Sequence, residues 1–180
     1  MKAISRNLVR LTVLIILTGM VIAYVIWYKQ WIAIQPRIRK PACANGLKQI
    51  GLAFRIWADA HNGQYPFNVS TNNGGTLELS VAHEGYAINP EIVFRAMDQE
   101  LSTPNLLVCP SDHSKQPADK FAHLNADNIT YRLHVGTNVS ASNPNEVLIV
   151  CPIDGNILHC DGTVIGKNVP PDDPNAMKVK

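Results

Sequence analysis

The chain has 180 residues, of which 17% are charged, and its formal net charge at pH 7 is +2. This balance provides no large field of one sign, which disfavours nucleic acid as a partner. The four cysteines are an even number, which is compatible with disulfides in a domain outside the cytoplasm.

A membrane anchor is predicted near the amino terminus. Residues 1–10 form a basic segment without acidic side chains, and residues 11–31 are largely apolar. As a helix, the uninterrupted stretch from Leu11 to Tyr28 is ~27 Å long, close to a hydrocarbon core of roughly 30 Å. No small-residue cleavage site follows, so an uncleaved signal anchor is favoured over a cleaved signal peptide or a buried soluble helix.

A hinge is predicted after the anchor, in the basic segment 32–42. Pro36 and Pro41 lie in it, and a proline inside a helix removes a backbone hydrogen bond. We therefore expect a bend here, with the anchor and the next helix as separate segments. Basic residues flank the anchor on both sides, so charge alone does not decide its orientation.

An amphipathic helix is predicted from Cys43 onward. Apolar residues recur there at steps of three and four and define one face: Leu47, Ile50, Gly51, Phe54, Trp57, Ala58 and His61. The helix is expected to end at Asn62-Gly63, a left-handed C-cap, before Pro66. We expect Ile50, Phe54 and Trp57 to pack on the inner face of a sheet, and His61 to pack rather than to bind a ligand.

The rest of the chain predicts short elements. Residues 67–90 are expected to form a loop that ends at a helix capped by Asn89, and 106–108 and 129–135 are expected to be strands. Residues 147–165 predict a three-stranded antiparallel meander whose tight turns have positive φ at both central residues, Asp154-Gly155 and Asp161-Gly162. The tail at 169–180 is expected to be disordered. The fold class is thus α+β, with a transmembrane helix and an amphipathic helix on a small antiparallel sheet.

Two stretches resemble a known family. NGLKQIGLAFRIWADAHNGQYP (45–66) is similar to the segment after the membrane helix in bacterial pseudopilin-like proteins, relatives of type II secretion pseudopilins and type IV pilins. GNILHCDGTV (155–164) is similar to their closing hairpin. The resemblance implies a pilin-like fold, with a long helix half in the membrane and half on a sheet. It also implies a structural subunit of an envelope filament or secretion apparatus.

One departure from that family concerns processing. Pilin precursors carry Gly and then Phe-Thr-Leu-x-Glu at the membrane helix, where a dedicated peptidase cuts, whereas NLVRLTVLI (7–15) has neither the Gly nor the Glu. A second interpretation therefore stays open: a lone membrane-anchored domain that binds a ligand or partner and forms no filament. An enzyme is not expected, because no GxSxG, HExxH or Gly-rich phosphate loop occurs.

The expected location follows from the resemblance and the cysteine count. Residues 43–168 are predicted to be a periplasmic domain on a single-pass anchor in a bacterial inner membrane. The expected partners are the membrane and copies of this chain or other pseudopilin-like subunits. Contacts between subunits are assigned to an apolar stripe of the anchor: Leu14, Ile15, Val21, Ile22 and Val25.

Two kinds of metal site are weighed. Zinc at Cys109 with His113, or at His159 with Cys160, is disfavoured because no CxxC occurs and adjacent strand residues point to opposite faces. Asp154 and Asp161 are loop carboxylates that calcium would accept, and some major pseudopilins hold calcium in a loop near their carboxyl end. Since a glycine follows each aspartate, turn formation is the favoured explanation. Calcium is the one cofactor left open.

A disulfide is predicted between Cys109 and Cys151. LLVCP (106–110) and LIVCP (148–152) both end an apolar run before a proline. Neighbouring strands in comparable register would bring the two Cα atoms into the ~4.4–6.8 Å window that a disulfide requires. The partners of Cys43 and Cys160 are left open.

Overall fold

The structure is a computed structural model that describes the backbone of residues 2–166. Side chains are described for residues 8–34 and 42–166, and the predicted tail at 169–180 lies outside the described residues. The chain divides into two compact units, Met1–Ile38 and Arg39–Lys180.

The first helix, α1, runs Lys2–Asp59 and contains the predicted anchor. Within it, Leu8–Ile34 is the one stretch of the described chain that is long and apolar enough to cross a membrane. This stretch has 27 residues, a mean hydropathy of 2.3 and no burial within the chain. A single-pass anchor is consistent with these values.

The two helices predicted on either side of the proline segment 32–42 are one continuous helix. The backbone is helical through both Pro36 and Pro41, within the 58 residues of α1. Proline fixes φ near −65°, a helical value, so the helix can continue, although each ring removes one hydrogen bond and crowds the carbonyl four residues before it. The bend at this segment stays a prediction. The boundary between the two compact units does fall in this segment, after Ile38.

The amphipathic pattern of residues 43–61 is confirmed. Its apolar face is buried apart from the half-buried His61, while Gln49, Arg55 and Asp59 on the other face are exposed. The predicted C-cap is also confirmed, because Asn62 and Gly63 have φ of 54° and 77°. The amide of Gly63 donates to the Ala58 carbonyl at 2.9 Å, which satisfies an end group of the helix.

The segment predicted as a loop contains a small hairpin. β1 (Ala82–His83) pairs with β2 (Tyr86–Ala87) across Glu84-Gly85, which have φ of 52° and 80°. This is the turn with two positive φ values that primed hairpins use. The helix after it is split into α2 (Pro90–Arg95) and α3 (Asp98–Leu101).

Two predictions near that helix are wrong. The Asn89 side chain does not cap α2, because its amide bonds the Val81 N–H and the Leu79 carbonyl at 2.9 and 2.7 Å. The segment predicted as a strand at 106–108 includes part of a 3-10 helix, Pro104–Leu107. Pro104 fixes φ there, and Thr103 accepts from the Asn105 N–H at 3.3 Å, which together start a turn.

The predicted meander is confirmed. The strand predicted at 129–135 is shorter, Arg132–Leu133, and it pairs with the meander as a fourth strand. β3 (Arg132–Leu133), β4 (Val147–Val150), β5 (Ile157–His159) and β6 (Val164–Ile165) form an antiparallel sheet in chain order. The predicted primed turns are wrong, since only the glycines have positive φ, 69° at Gly155 and 87° at Gly162. Both connections are longer than two residues, and such loops need only one left-handed residue.

The core of the second unit gathers around the apolar face of α1. Phe54 contacts Tyr65 and Phe94 edge to face, with ring centroids 5.1 and 6.2 Å apart. Ile50 and Phe54 are fully buried and Trp57 is 4% exposed. The sheet is thus only part of what covers this face, because aromatic rings from other segments enclose Phe54.

Candidate functional site

The C-terminal part of α1 closely approaches the hairpin of β5 and β6 at Gly51. A Cβ atom added to Gly51 would lie 2.8 Å from Leu158 Cδ1 and 3.4 Å from Gly162 Cα. One turn further along α1, Arg55 Nη1 donates to the Asp161 carbonyl at 3.1 Å. The two stretches that resemble the pseudopilin-like family, 45–66 and 155–164, are therefore in direct contact.

A second contact joins the same two stretches. The Tyr65 hydroxyl donates to the Cys160 carbonyl at 2.8 Å, and both residues are buried. Burial raises the pKa of Tyr65 above its ordinary value, so the hydroxyl stays a donor over the physiological range. Cys160 is thereby held in the helix–hairpin contact.

The outer face of α1 in the second unit carries two exposed apolar side chains. Leu52 and Ile56 are 58% and 49% exposed, and they lie four residues apart. Residues at this spacing are neighbours on a helix surface, so the two side chains form a continuous apolar ridge. We call this pair the Leu52–Ile56 ridge.

Three cysteines and one aspartate form a cluster in the second unit. The sulfur atoms of Cys43, Cys109 and Cys151 and a carboxylate oxygen of Asp154 all lie within 4.8 Å of one another. Cys43 lies on α1, Cys109 follows the 3-10 helix, and Cys151 with Asp154 follows β4. The cysteines are fully buried and Asp154 is half-buried. We call these four residues the thiol cluster.

Hydrogen bonds orient the members of the thiol cluster. Asp154 Oδ2 accepts from the Cys109 thiol at 3.3 Å and from the Ser111 hydroxyl at 3.1 Å. The backbone N–H of Asp154 donates to the Cys151 sulfur at 3.4 Å. The Tyr131 hydroxyl approaches the Cys43 sulfur at 3.8 Å. One donor therefore faces the sulfur of Cys151 and one faces the sulfur of Cys43, while the carboxylate accepts from the Cys109 thiol.

The close contacts shift the pKa values of the thiols in different directions. Contact with the Cys109 and Cys43 thiols, together with the backbone amides of residues 153 and 154, lowers the pKa of Cys151 below its ordinary value. The same contacts and burial raise the pKa of Cys109. Because the three thiols interact closely, they titrate as one coupled group.

The structure brings the predicted disulfide pair together, although not on neighbouring strands. Cys109 and Cys151 both belong to the thiol cluster, but Cys109 follows a 3-10 helix rather than a strand. All four cysteines are free thiols. The Cys109–Cys151 disulfide remains a prediction, and Cys43 now competes as a partner.

The two aspartates considered for calcium are not brought together. Asp154 precedes β5 and belongs to the thiol cluster, whereas Asp161 follows β5 and accepts from the Thr163 N–H and hydroxyl at 2.7 and 2.6 Å. Asp161 is thus a turn-forming residue. The histidines considered for zinc, His113 and His159, are not in the thiol cluster, and His159 Nδ1 lies 2.9 Å from the Asn145 carbonyl.

Cys43 is the member of the thiol cluster that sequence reasoning missed. A signal for it was present, since Cys43, Leu47, Ile50 and Phe54 follow steps of four, three and four. That spacing places Cys43 on the buried face of α1, next to whatever covers the start of that face.

Comparisons of the chain with protein-family models, with curated proteins and with solved structures gave no match in any of the three.

Proposed function

We propose that the chain is a membrane-anchored, pilin-like structural subunit of a type II secretion or type IV pilus-like envelope assembly. In this proposal Leu8–Ile34 spans a bacterial inner membrane once and the second unit lies in the periplasm. The chain acts by packing against copies of itself or against other pseudopilin-like subunits. It needs no catalytic residue for this role.

The observation that carries the proposal is the contact between the two stretches with family resemblance. They are separated by 88 residues of chain, from 67 to 154, yet Gly51 meets Leu158 and Arg55 bonds Asp161. A chance likeness in two short stretches predicts no such contact. A shared helix-on-hairpin architecture does predict it.

Exposed apolar surface supports assembly as the mode of action. The apolar stripe of the anchor is called the membrane stripe below: Leu14, Ile15, Val21, Ile22 and Val25. It is exposed like every other described residue of the anchor, and lipid can cover it as well as a neighbouring helix can. The Leu52–Ile56 ridge lies on the same helix outside the anchor, so lipid does not account for its exposure. A neighbouring helix in a filament would bury this ridge.

Photo-crosslinking from inside the membrane tests the proposal. A crosslinking amino acid replaces Ile22, which lies on the membrane stripe, in the full chain expressed in a bacterial membrane. Ile16 is the matched control, because it is also isoleucine and lies about 120° around the helix from Ile22, on the side away from the stripe. Crosslinks between copies, or to another subunit, from position 22 but not from 16 are expected. Equal yields, or none from either position, would contradict the proposal.

A second candidate is a lone anchored domain that binds a partner without forming a filament. It is favoured by the stretch at 7–15, which lacks the Gly and Glu of pilin precursors and carries Arg10. The intact mass of the full chain purified from membranes separates the two candidates together with the crosslinking result. An unprocessed chain that gives no crosslinks would favour the lone domain.

A further inference from the structure

We infer that the thiol cluster is a structural binding site for one zinc ion, with Cys43, Cys109, Cys151 and Asp154 as its four ligands. This inference does not rest on the proposed function, because the cluster lies inside the second unit and needs no assembly. It shares only Cys109 with the zinc candidates considered from the sequence, which required His113 or His159.

The ligand set fits zinc in kind, number and spacing. Structural zinc sites are four-coordinate and tetrahedral, with thiolate, imidazole or carboxylate ligands. At Zn–S distances of about 2.3 Å, tetrahedral geometry separates two sulfurs by about 3.8 Å. The four ligand atoms here already lie within 4.8 Å of one another, so a contraction of about 1 Å or less closes the shell. Three soft sulfurs disfavour calcium and magnesium, which take oxygen ligands.

The surroundings of the cluster supply what coordinated thiolates need. Asn156 is fully buried, and neither its Nδ2 nor its Oδ1 atom has a hydrogen-bond partner within the described chain. Its backbone carbonyl accepts from the Cys151 N–H at 2.8 Å, which places Asn156 next to the thiol cluster. Outer donors of this kind orient metal ligands. A buried amide without a partner costs free energy, and a zinc-bound thiolate would give its N–H an acceptor.

An odd number of sulfurs distinguishes a metal site from a disulfide. A bond between any two of the three thiols leaves the third thiol buried and unpaired beside Asp154. Zinc uses all three sulfurs and the carboxylate together, and the three thiol protons pass to the solvent as the ion binds. The ion would join α1 to the two Cys-Pro turns, at 109–110 and 151–152, which come from distant parts of the chain.

The test uses the full chain in detergent micelles, purified under reducing conditions and freed of metal with a chelator. Zinc is added alone, and bound metal is counted by elemental analysis after gel filtration. We expect one zinc per chain. We also expect zinc to slow the alkylation of Cys43, Cys109 and Cys151, whereas Cys160, which is buried with or without the ion, should be alkylated at an unchanged rate. Cobalt as a spectroscopic substitute should give the intense near-ultraviolet bands of thiolate coordination.

Three variants test which residues form the site. Cys43→Ser removes one ligand and should abolish stoichiometric zinc binding, whereas Cys160→Ser changes the cysteine outside the cluster and should keep it. Asp154→Asn should weaken zinc binding by at least about tenfold, since even outer residues typically cost 10–100-fold. Because a variant can fail to fold, the alkylation pattern of the unmodified chain is the deciding measurement.

Four results would overturn the inference. The first is a disulfide within the cluster of the chain isolated without reductant, found by peptide mapping, together with no zinc binding after reduction. The second is zinc binding without protection of Cys43, Cys109 and Cys151. The third is binding that Cys43→Ser leaves unchanged, and the fourth is a loss of binding in Cys160→Ser while that variant stays folded.

Discussion

The imidazole of His61 stacks on the indole of Trp57, with ring centroids 3.5 Å apart and planes 5° from parallel. His61 Nδ1 also lies 2.7 Å from the Trp57 carbonyl oxygen, so ring and backbone are joined in the last turn of α1. The pair closes the buried face of α1 where the helix ends.

Trp57→Ala is expected to lower the free energy of unfolding by about 3–5 kcal/mol, because it removes a buried ring and leaves a cavity. Thermal unfolding of the full chain in micelles would measure the loss. His61→Ala is the comparison, and it should cost less because His61 is only half-buried. If Trp57→Ala left the melting temperature nearly unchanged, this end of α1 would not be part of the core.

Alanine at two glycines of α1 should have opposite effects. Gly46→Ala places a Cβ no closer than 3.8 Å to Tyr131 Oη, so nothing has to move. The free energy of unfolding should therefore rise by about 0.5–1 kcal/mol, the difference in helix propensity between alanine and glycine. Gly51→Ala places a Cβ 2.8 Å from Leu158 Cδ1. Forcing the helix and hairpin apart should cost about 1–3 kcal/mol. Chemical denaturation of both variants is the measurement, and equal gains would show that the close approach is not required.

Asn156→Leu should separate stability from metal binding. Removing a buried amide without a partner is expected to leave the zinc-free chain as stable or more stable. Zinc affinity should fall by about 10–100-fold, since a donor next to the thiol cluster is lost. Asn68→Leu should do the reverse, because Asn68 bonds the Gly136 and Val139 carbonyls at 3.1 and 2.9 Å, far from the cluster in sequence. Melting temperatures with and without zinc test both variants.

A reporter fused after Asn62 tests the placement of the second unit. A phosphatase that is active only outside the cytoplasm should be active at this position, because the fusion retains the whole span Leu8–Ile34. A reporter that is active only in the cytoplasm should be silent there. The opposite pair of results would reverse the proposed orientation.

Glu78 should give one loop a dependence on acid pH. Its carboxylate accepts from the Ser70 hydroxyl and from the Thr71 N–H, the latter at 2.8 Å, and these bonds lower its pKa from 4.5 to about 2. The stabilisation that these bonds give to the loop is complete above pH 4.5 and is lost as the pH falls through about 2, where the carboxylate is protonated. As the pH is lowered, the hydrogen-exchange rate of the Thr71 amide should therefore increase relative to its intrinsic rate at the same pH. Glu78→Gln should abolish that response.

The sequence was most informative about features that neighbouring residues determine, such as the hydrophobic period of a helix or the residues of a turn. The buried face of α1 and its cap at Asn62-Gly63 needed only helical spacing and a left-handed glycine. The meander needed only alternating short runs and two Asp-Gly pairs. These features depend on neighbours in the chain, so the pattern contains the information.

Tertiary contacts explain what the sequence did not predict. Asn89 looked like a helix cap, but backbone groups at 79 and 81 compete for its amide. LLVCP and LIVCP look alike, yet Pro104 makes one part of a 3-10 helix while the other continues a sheet. The thiol cluster combines residues from three separate segments, and no spacing within one segment reveals such a meeting.

Cys43 is the first buried side chain after the anchor in the described part of the chain, and this position matters for mechanical load. A force transmitted along α1 from a membrane-embedded end reaches the domain at Cys43 before any other core residue. An ion that fastens Cys43 to the turns at 109 and 151 would oppose peeling of α1 from its end, one turn at a time.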